Sequence, residues 1–339
     1  LEGVRGDGFV TEHCAEGIAC EALRTPPESF AELDGYPFVE NFFNVDVDSA
    51  GNDVRMHYVD EGPRDAPVVL MLHGEPTWSY LYRKMIPVFV RAGLRAIAPD
   101  HLGFGKSDKP ADSRQYTFER HIGWAQRLVE GLDLRDITLV CQDWGGPIGM
   151  ALAVSPGDRF SRVVAGNTML HTCASDLADR VAWNNHDMGE NDQCVNTGLL
   201  DWIAISQRMP EFTASNSVAG VAARGVSKGV LKAYDAPFPS EAFKQGMRQF
   251  PILIPITRND PGAAINRRTF EALRKFERPF LTLFGDSDPS TRGWETIFQQ
   301  AIPGAAGQPH AILKRAGHFF QEDCGEEAAE KIVDFISGS

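Results

Sequence analysis

An aspartate stands where a buried strand is followed at once by a tight turn. Asp143 comes after the apolar run 137–142 and before the sequence Trp-Gly-Gly at 144–146. Small residues two positions before and two positions after Asp143 permit the geometry of a nucleophile elbow. A carboxylate with an ordinary pKa of about 3.9 is already an anion at neutral pH. It can therefore displace a leaving group from a saturated carbon, and water must then cleave the resulting ester.

A second carboxylate and a histidine follow Asp143 in the chain order that such an elbow requires. His318 comes directly after the last predicted strand, where a general base can reach back over a sheet. Asp286 and Asp288 both follow the run 280–284, and Asp288 is favoured because it lies farther beyond the strand end. The order nucleophile, acid and histidine predicts a catalytic triad of Asp143, Asp288 and His318.

Alternating strand and helix patterns must position these residues. Continuous apolar runs are typical of buried parallel strands, and they occur at 68–72, 95–100, 137–142, 161–166, 280–284 and 311–314. Helical patterns occupy 120–132, 146–154 and 326–336. The repeated alternation predicts an α/β fold with a mostly parallel central sheet that is flanked by helices.

Four short motifs make the chain similar to haloalkane dehalogenases of the α/β-hydrolase superfamily, from Leu23 to the C-terminus. The motifs are HGEPTW at 73–78, QDWGG at 142–146, FGDSD at 284–288 and AGHF at 316–319. The resemblance implies the α/β-hydrolase fold with a helical cap, and it places the catalytic acid at Asp288. It also implies a small halogenated alkane and water as substrates, an alkyl ester on Asp143, and an alcohol and a halide ion as products.

Tryptophan side chains are expected to bind the departing halide. A halide is not usefully protonated at neutral pH, so N–H donors in a dry pocket must stabilise its charge. An indole offers one N–H donor on a large apolar ring. Trp144, next to the nucleophile, is the first such donor. The resemblance of residues 199–211 to the first cap helix of the family implies Trp202 as the second, with Trp183 as the alternative.

Three residues are expected to bind the oxyanion or to position water in the second half of the reaction. The backbone N–H groups of Glu75 and Trp144 are expected to meet the oxyanion, and the Glu75 side chain is a candidate for holding water. Asn167 follows the run 161–166, where other branches of the family carry their catalytic acid. An amide cannot orient a histidine as a charged group does, so Asn167 is expected to donate a hydrogen bond instead.

The resemblance divides the chain into a core and a cap. Residues 23–168 and 253–339 form the predicted α/β-hydrolase core, and residues 169–252 form the predicted helical cap. The stretch 171–196 departs from the compact family pattern, and we interpret it as an insertion ahead of the first cap helix. Residues 1–22 are an expected N-terminal extension without the charged start and apolar middle of a signal peptide.

Composition excludes several other classes of protein. A chain of 339 residues with 43% hydrophobic residues can bury a large core. The net charge of −13 argues against nucleic-acid binding. No apolar run approaches the roughly 18 residues of a membrane span. The protein is therefore expected to be a monomer or a small homo-oligomer without membrane or nucleic-acid partners.

The cysteines indicate neither a metal site nor a dense disulfide framework. Six cysteines are scattered without metal-ligand spacing, so no metal or cofactor is expected. Cys173 and Cys194 could pair in an oxidising compartment. For an enzyme of this size the cytoplasm is the default expectation, and the sequence leaves a periplasmic location open.

Two alternatives remain open at this point. An epoxide hydrolase shares the aspartate nucleophile, the histidine and the acid on the same fold, but it donates protons from cap tyrosines. Tyr234 is the only tyrosine in the sequence of residues 169–252. A noncatalytic binding protein of this fold usually lacks a member of the triad, whereas this chain retains all three.

Overall fold

The computed structural model describes residues 17–173 and 197–339. Its strands are β1 (Ala22–Leu23), β2 (Asn41–Val47), β3 (Asp53–Glu61), β4 (Val68–Leu72), β5 (Arg95–Pro99), β6 (Lys109–Pro110), β7 (Ile137–Gln142), β8 (Phe160–Gly166), β9 (Phe280–Gly285) and β10 (Ala311–Leu313). Its α-helices are α1 (Ile86–Arg91), α2 (Phe118–Gly131), α3 (Gly145–Ala153), α4 (Thr197–Arg208), α5 (Ala214–Val221), α6 (Lys228–Asp235), α7 (Gln245–Ile252), α8 (Pro261–Leu273), α9 (Trp294–Ala301) and α10 (Phe320–Ser337).

An eight-stranded sheet with the order β10-β9-β8-β7-β4-β5-β3-β2 forms the centre of the described structure. Neighbouring strands from β10 to β5 pair in parallel, whereas β3 pairs antiparallel with both β5 and β2. The short strands β1 and β6 form a separate antiparallel pair. The predicted α/β fold with a mostly parallel sheet is confirmed.

The most buried strands lie in the middle of the sheet. Every residue of β4 and β7 is buried, which explains why their sequences are continuous apolar runs rather than alternating patterns. β7 lies between β4 and β8, and all three run in parallel. Asp143 therefore emerges between the carboxyl ends of its neighbours, where α/β sheets bind their ligands.

The segment that interrupts the alternation contains helices α4 to α7, between β8 and β9. Among them, α4 packs against α7 and α5 packs against α6. Most of the predicted insertion 171–196, with Trp183 and Cys194, lies outside the described residues, as do residues 1–16 of the predicted extension. Over the two described ranges, no helix combines the length and the apolar character needed to cross a bilayer.

The last helix begins earlier than the sequence pattern predicts. The pattern predicts a start near residue 326, but α10 begins at Phe320 and is kinked at Cys324, where φ is −151° and ψ is 43°. The first turn carries buried Glu322 and Asp323. The consecutive acidic residues before Gly325 made this turn unrecognisable as part of a buried helix, because charged residues are rarely buried unless they have partners.

A group of histidines is buried in the core near the carboxyl ends of the strands. The ring centroids of His73 and His101 are 4.6 Å apart, and those of His101 and His121 are 5.9 Å apart. Burial lowers the pKa of all three and brings that of His121 to about 3. Neither ring nitrogen of His121 has a hydrogen-bond partner among the described residues. The fold therefore holds His121 in its neutral form.

Acid is expected to destabilise the protein through His121. A histidine whose pKa is lowered by folding stabilises fully above its unfolded pKa of about 6.5 and loses this contribution as the pH falls towards the folded value. Between roughly pH 7.5 and roughly pH 5 the loss is about 2 kcal/mol. His121→Phe, which suits the neighbouring rings of Tyr116 and Phe250, should remove this part of the acid sensitivity. Urea unfolding at both pH values measures the difference, and equal acid sensitivity in parent and variant contradicts the prediction.

Candidate active site

Asp143 directly follows β7 and has the backbone conformation of an elbow. Its φ of 50° lies in the left-handed region, which residues other than glycine seldom adopt. Its N–H donates to Asn167 O at 3.0 Å, and its carbonyl accepts from the Thr168 hydroxyl at 2.7 Å. Gly145 is needed after it, because a Cβ there would lie 2.0 Å from Leu72 O. The backbone therefore holds the Asp143 carboxylate in a fixed position.

Both carboxylate oxygens of Asp143 have partners. Oδ1 accepts a hydrogen bond from the backbone N–H of Glu75 at 2.7 Å. Oδ2 lies 3.4 Å from His318 Nε2. Of the two expected oxyanion donors, the Glu75 N–H thus contacts Asp143, whereas in the described structure no hydrogen bond joins the Trp144 N–H to this carboxylate.

His318 lies between two carboxylates. Its Nδ1 is 3.1 Å from Asp288 Oδ1, so this nitrogen must carry a proton to donate to the carboxylate. Asp288 Oδ1 also accepts from the Ser290 N–H at 2.8 Å, and Oδ2 accepts from the Thr291 hydroxyl. The structure therefore brings Asp143, His318 and Asp288 together in the order that a triad requires.

Charges within the triad shift the pKa of His318 and that of Asp288. Burial opposes a charge on His318, but the charge of Asp288 and hydrogen bonds to Asp143 and Asp288 outweigh it and raise the pKa to about 10. Burial likewise opposes a charge on Asp288, but the charge of His318 and hydrogen bonds lower the pKa of this carboxyl below its ordinary value. The resting site is therefore an imidazolium between carboxylates.

Asp286, the other acid considered for the triad, has a different role in the structure. Its Oδ1 accepts from the Ser287 hydroxyl at 2.9 Å and from the Ala316 N–H at 3.3 Å. These contacts join the turn after β9 to the loop that precedes His318. Asp288, and not Asp286, reaches the imidazole.

The expected oxyanion or water contact of Asn167 must be corrected. Its Nδ2 donates to the carbonyls of Gly317 at 2.7 Å and His318 at 2.9 Å, and its Oδ1 accepts from the Gly285 N–H at 2.8 Å. Both amide protons are thus used by backbone carbonyls. Because Asn167 is fully buried, it joins the end of β9 to the His318 loop and does not face the substrate.

A pocket of about 290 Å³ lies over Asp143 and His318. Its walls are mostly apolar, and they include Pro76, Met169, Leu199, Val221, Ile254 and Phe319. Trp144 and Trp202 also line it. Neither indole N–H has an acceptor within the part of the chain that the structure describes. Two indoles whose N–H groups have no acceptor among the described residues therefore line the pocket beside the Asp143 carboxylate.

The other described tryptophans lie away from the pocket walls. Trp78 Nε1 donates to Ala233 O at 3.2 Å, and Trp124 Nε1 donates to Asp46 Oδ2 at 2.7 Å. Trp294 is buried against Phe298. Trp183, the alternative halide donor, lies outside the described residues.

Glu75 contributes more than its backbone N–H. Its side chain lines the pocket, and burial together with the charge of Asp143 raises its pKa well above the ordinary range. Its Oε1 has no hydrogen-bond partner among the described residues. A neutral carboxyl at this place can donate a hydrogen bond to water in the pocket. The water-positioning role of Glu75 stays a prediction.

Sequence reasoning missed Gln142, the residue before Asp143. Its Nε2 lies 3.0 Å from His318 Nε2 and 3.3 Å from His318 O. One amide can therefore contact both the ring and the backbone of the histidine. The sequence indicates that Gln142 lies at the end of β7, but it does not indicate the direction in which the Gln142 side chain points. Among the described residues, no cluster of His, Cys, Asp and Glu is arranged to hold a metal ion.

Known proteins with similar sequences and structures share the fold of this chain. A family model described as the α/β-hydrolase fold matches residues 67–198. The chain is 48% identical to a haloalkane dehalogenase of Psychrobacter cryohalolentis, over 93% of this chain and 97% of that protein. It is 42% identical to a haloalkane dehalogenase of Mycobacterium marinum, over 93% of this chain and 99% of the relative.

Solved structures give the same result. A tetrameric haloalkane dehalogenase of Paraglaciecola agarilytica superposes with a TM-score of 0.78 at 36% identity, over 92% of this chain and 97% of that one. A loop variant of a haloalkane dehalogenase of Bradyrhizobium elkanii gives a TM-score of 0.68 at 25% identity, over 88% of this chain and 97% of the other.

Proposed function

The chain belongs to the haloalkane dehalogenases, hydrolases that act on carbon–halogen bonds, and from this premise we propose that Asp143, His318 and Asp288 catalyse the reaction through an alkyl ester on Asp143. One observation carries the proposal. A fixed carboxylate contacts an imidazole on one side and faces an apolar pocket lined by two indoles whose N–H groups have no acceptor among the described residues.

In the first half of the reaction, Asp143 attacks the carbon that bears the halogen. Oδ1 is held by the Glu75 N–H, so we assign the attack to Oδ2. The new C–O bond forms as the C–halogen bond breaks, and the halide leaves with the electron pair of that bond. We propose that the N–H groups of Trp144 and Trp202 bind the halide as its charge develops.

In the second half, water cleaves the ester. Esterification removes the charge of Asp143, and with it a hydrogen bond and an attraction that raise the pKa of His318. His318 thereby releases its resting proton to solvent and becomes able to accept one from water, while Asp288 holds the ring. The water oxygen attacks Cγ of Asp143, and a negative charge forms on Oδ1. The hydrogen bond from the Glu75 N–H to Oδ1 stabilises this charge. Collapse of the tetrahedral intermediate returns this proton to the leaving alkoxide. The second proton of the water passes from the Asp143 carboxyl to His318, so the alcohol leaves and the resting site is restored.

Replacing Trp202 by phenylalanine is expected to weaken halide binding and the first chemical step together. A charge-assisted hydrogen bond is worth about 1.5 to 3 kcal/mol, so kcat/KM for bromide release should fall about 10- to 100-fold. Bromide affinity, followed by quenching of tryptophan fluorescence, should fall in parallel. Trp183→Phe is the matched control. Parental bromide affinity in W202F with a loss in W183F contradicts the assignment and favours Trp183.

The division of the chain into a core and a cap is also a proposal, and it rests on the resemblance to the same family. We propose that residues 23–168 and 253–339 form the core and that residues 169–252 form the cap, with an insertion at 171–196 and an extension at 1–22. Helices α4 and α5 support this division, because Leu199, Trp202 and Val221 on them face the pocket over Asp143. The cap would then supply one halide donor and much of the apolar wall.

The compartment and the assembly are proposals as well. We propose a cytoplasmic enzyme that is a monomer or a small homo-oligomer. Free Cys20, Cys141 and Cys324 support a reducing compartment. Cys173, whose partner lies outside the described residues, is disulfide-bonded, and this is the observation in favour of the periplasm.

The epoxide hydrolase alternative has little support from the site. The hydroxyl of Tyr234 donates to Glu322, and Tyr234 does not line the pocket. Bromide release from 1,2-dibromoethane and 1-bromobutane, compared with hydration of styrene oxide, tests the proposed function. Bromide release without diol formation supports it. Diol formation alone favours the epoxide hydrolase, and no turnover of any of the three favours a noncatalytic binding protein.

A further inference from the structure

Asp323, in the first turn of α10, is a buried carboxylate with no role in the chemistry described so far. It is 7% exposed. Its Oδ2 accepts from the N–H groups of Gly317 at 2.8 Å and Ala223 at 3.0 Å, and its Oδ1 accepts from the N–H of Arg224 at 2.7 Å. One side chain thus binds three backbone donors from two separate segments.

One of these segments is the stretch 221–224, which begins at the last residue of α5 and which we call the cap strap. Val221, its first residue, lines the pocket, and its carbonyl accepts from the His318 N–H at 3.2 Å. The approach is so close that a Cβ on Gly317 would lie 1.9 Å from Val221 O. The cap strap therefore rests directly on the loop of the catalytic histidine, and Asp323 is the acceptor that both share.

We propose that Asp323 is a positioning residue that joins the cap strap to the His318 loop and so sets the imidazole for ester hydrolysis. The inference rests on the proposed roles of Asp143 and His318. Asp323 acts through the backbone, because its carboxylate contacts neither of those side chains. Asp143 is held separately, by the elbow and by the Glu75 N–H.

This separation predicts which half of the reaction depends on Asp323. In Asp323→Asn one of the two accepting oxygens becomes an NH₂ group, so one or two of the three N–H groups lose their acceptor and the shared anchor of the cap strap and the His318 loop is weakened. A displacement of about 1 Å in a catalytic group can cost about 100-fold in rate. Hydrolysis of the ester needs His318 in place, whereas attack by Asp143 on carbon does not. Hydrolysis should therefore slow while alkylation continues.

Rapid-quench kinetics of the full-length variant Asp323→Asn with 1-bromobutane tests this. We expect one equivalent of bromide per site at close to the parental rate, then a steady rate about 10- to 100-fold lower, with butylated Asp143 detected by mass spectrometry. The amplitude of the first phase counts the folded sites, so partial unfolding lowers the amplitude and not the rate constants. Gly317→Ala should give the same pattern, because it pushes the cap strap away from the other side.

Asp48→Asn is the matched control. Asp48 is also 7% exposed, and its Oδ1 accepts from the N–H groups of Ala50 and Asn52 at 2.9 and 2.8 Å, but it follows β2 at the far side of the sheet. Both phases should be retained in this variant. Equal slowing of both phases in Asp323→Asn, or slowing of neither, overturns the inference.

Failure of the proposed function would give a different result. Bromide release by Asp323→Asn and by His318→Ala without any butylated Asp143 would contradict the ester mechanism itself. Butylated Asp143 in His318→Ala together with unchanged hydrolysis in Asp323→Asn would overturn only the positioning role.

Discussion

Replacing His318 by alanine is expected to stop the enzyme after one halide has been released at each site. Asp143 remains held by the Glu75 N–H and can still attack carbon, but no base then activates water. A general base contributes about 10²- to 10⁴-fold, so steady turnover should fall by about this factor. Rapid-quench measurement of bromide, together with the intact mass of the protein, should show an alkylated enzyme that accumulates to one equivalent.

His121→Phe is a suitable control for this experiment, since His121 is also buried but lies outside the pocket walls. It should retain both the bromide burst and the steady rate at neutral pH. Unchanged steady turnover in the His318 variant would remove the imidazole from the mechanism. Loss of the burst itself would mean that the histidine is needed before the ester forms.

Replacing Asp143 is expected to abolish both phases. Removal of a nucleophile that acts as part of a catalytic unit typically costs about 10⁴- to 10⁶-fold. Asp143→Asn keeps the shape of the side chain and an oxygen for the Glu75 N–H, and so separates the effect of charge from that of packing. Asp143→Ala should accompany it, because deamidation of an asparagine would restore the nucleophile. Bromide release and bromide quenching of fluorescence measure turnover and the integrity of the pocket.

Asp286→Asn is the control for the loss of one carboxylate charge near the carboxyl ends of the strands. Asp286 contacts the loop before His318 through the Ala316 N–H but not the imidazole. It should lose stability without losing the burst. Parental bromide release by Asp143→Ala would contradict the proposed nucleophile, whatever the behaviour of the control.

The parts of the fold and the site that depend on local sequence could be predicted. Asp143 could be recognised as the residue at an elbow because the features that define the elbow, an apolar strand before it and small residues around it, lie within a few positions in the sequence. Asp288 and His318 follow strands whose apolar runs are visible in the sequence. The structure places these three residues in contact because the parallel strands end at the same side of the sheet.

The contacts made by loops could not be predicted in the same way. Asn167 has backbone partners 118 to 151 positions away, so its role depends on the paths of two other loops. Asp323 lies about a hundred positions from its partners in the cap strap. Its acidic neighbourhood even concealed the first turn of α10. In both cases the residue type was visible, but the donors or acceptors that it would meet were set by the tertiary structure.

The source of the oxygen in the product tests the central claim most directly. A single turnover of 1-bromobutane by excess enzyme in H₂¹⁸O is predicted to give butanol with ordinary oxygen and to leave ¹⁸O in the Asp143 carboxylate, because water attacks the ester carbonyl. Mass spectrometry of the alcohol and of the peptide that contains Asp143 reads both products. Butanol that carries ¹⁸O, with Asp143 unlabelled, would show that water attacks the substrate carbon itself and would contradict the account.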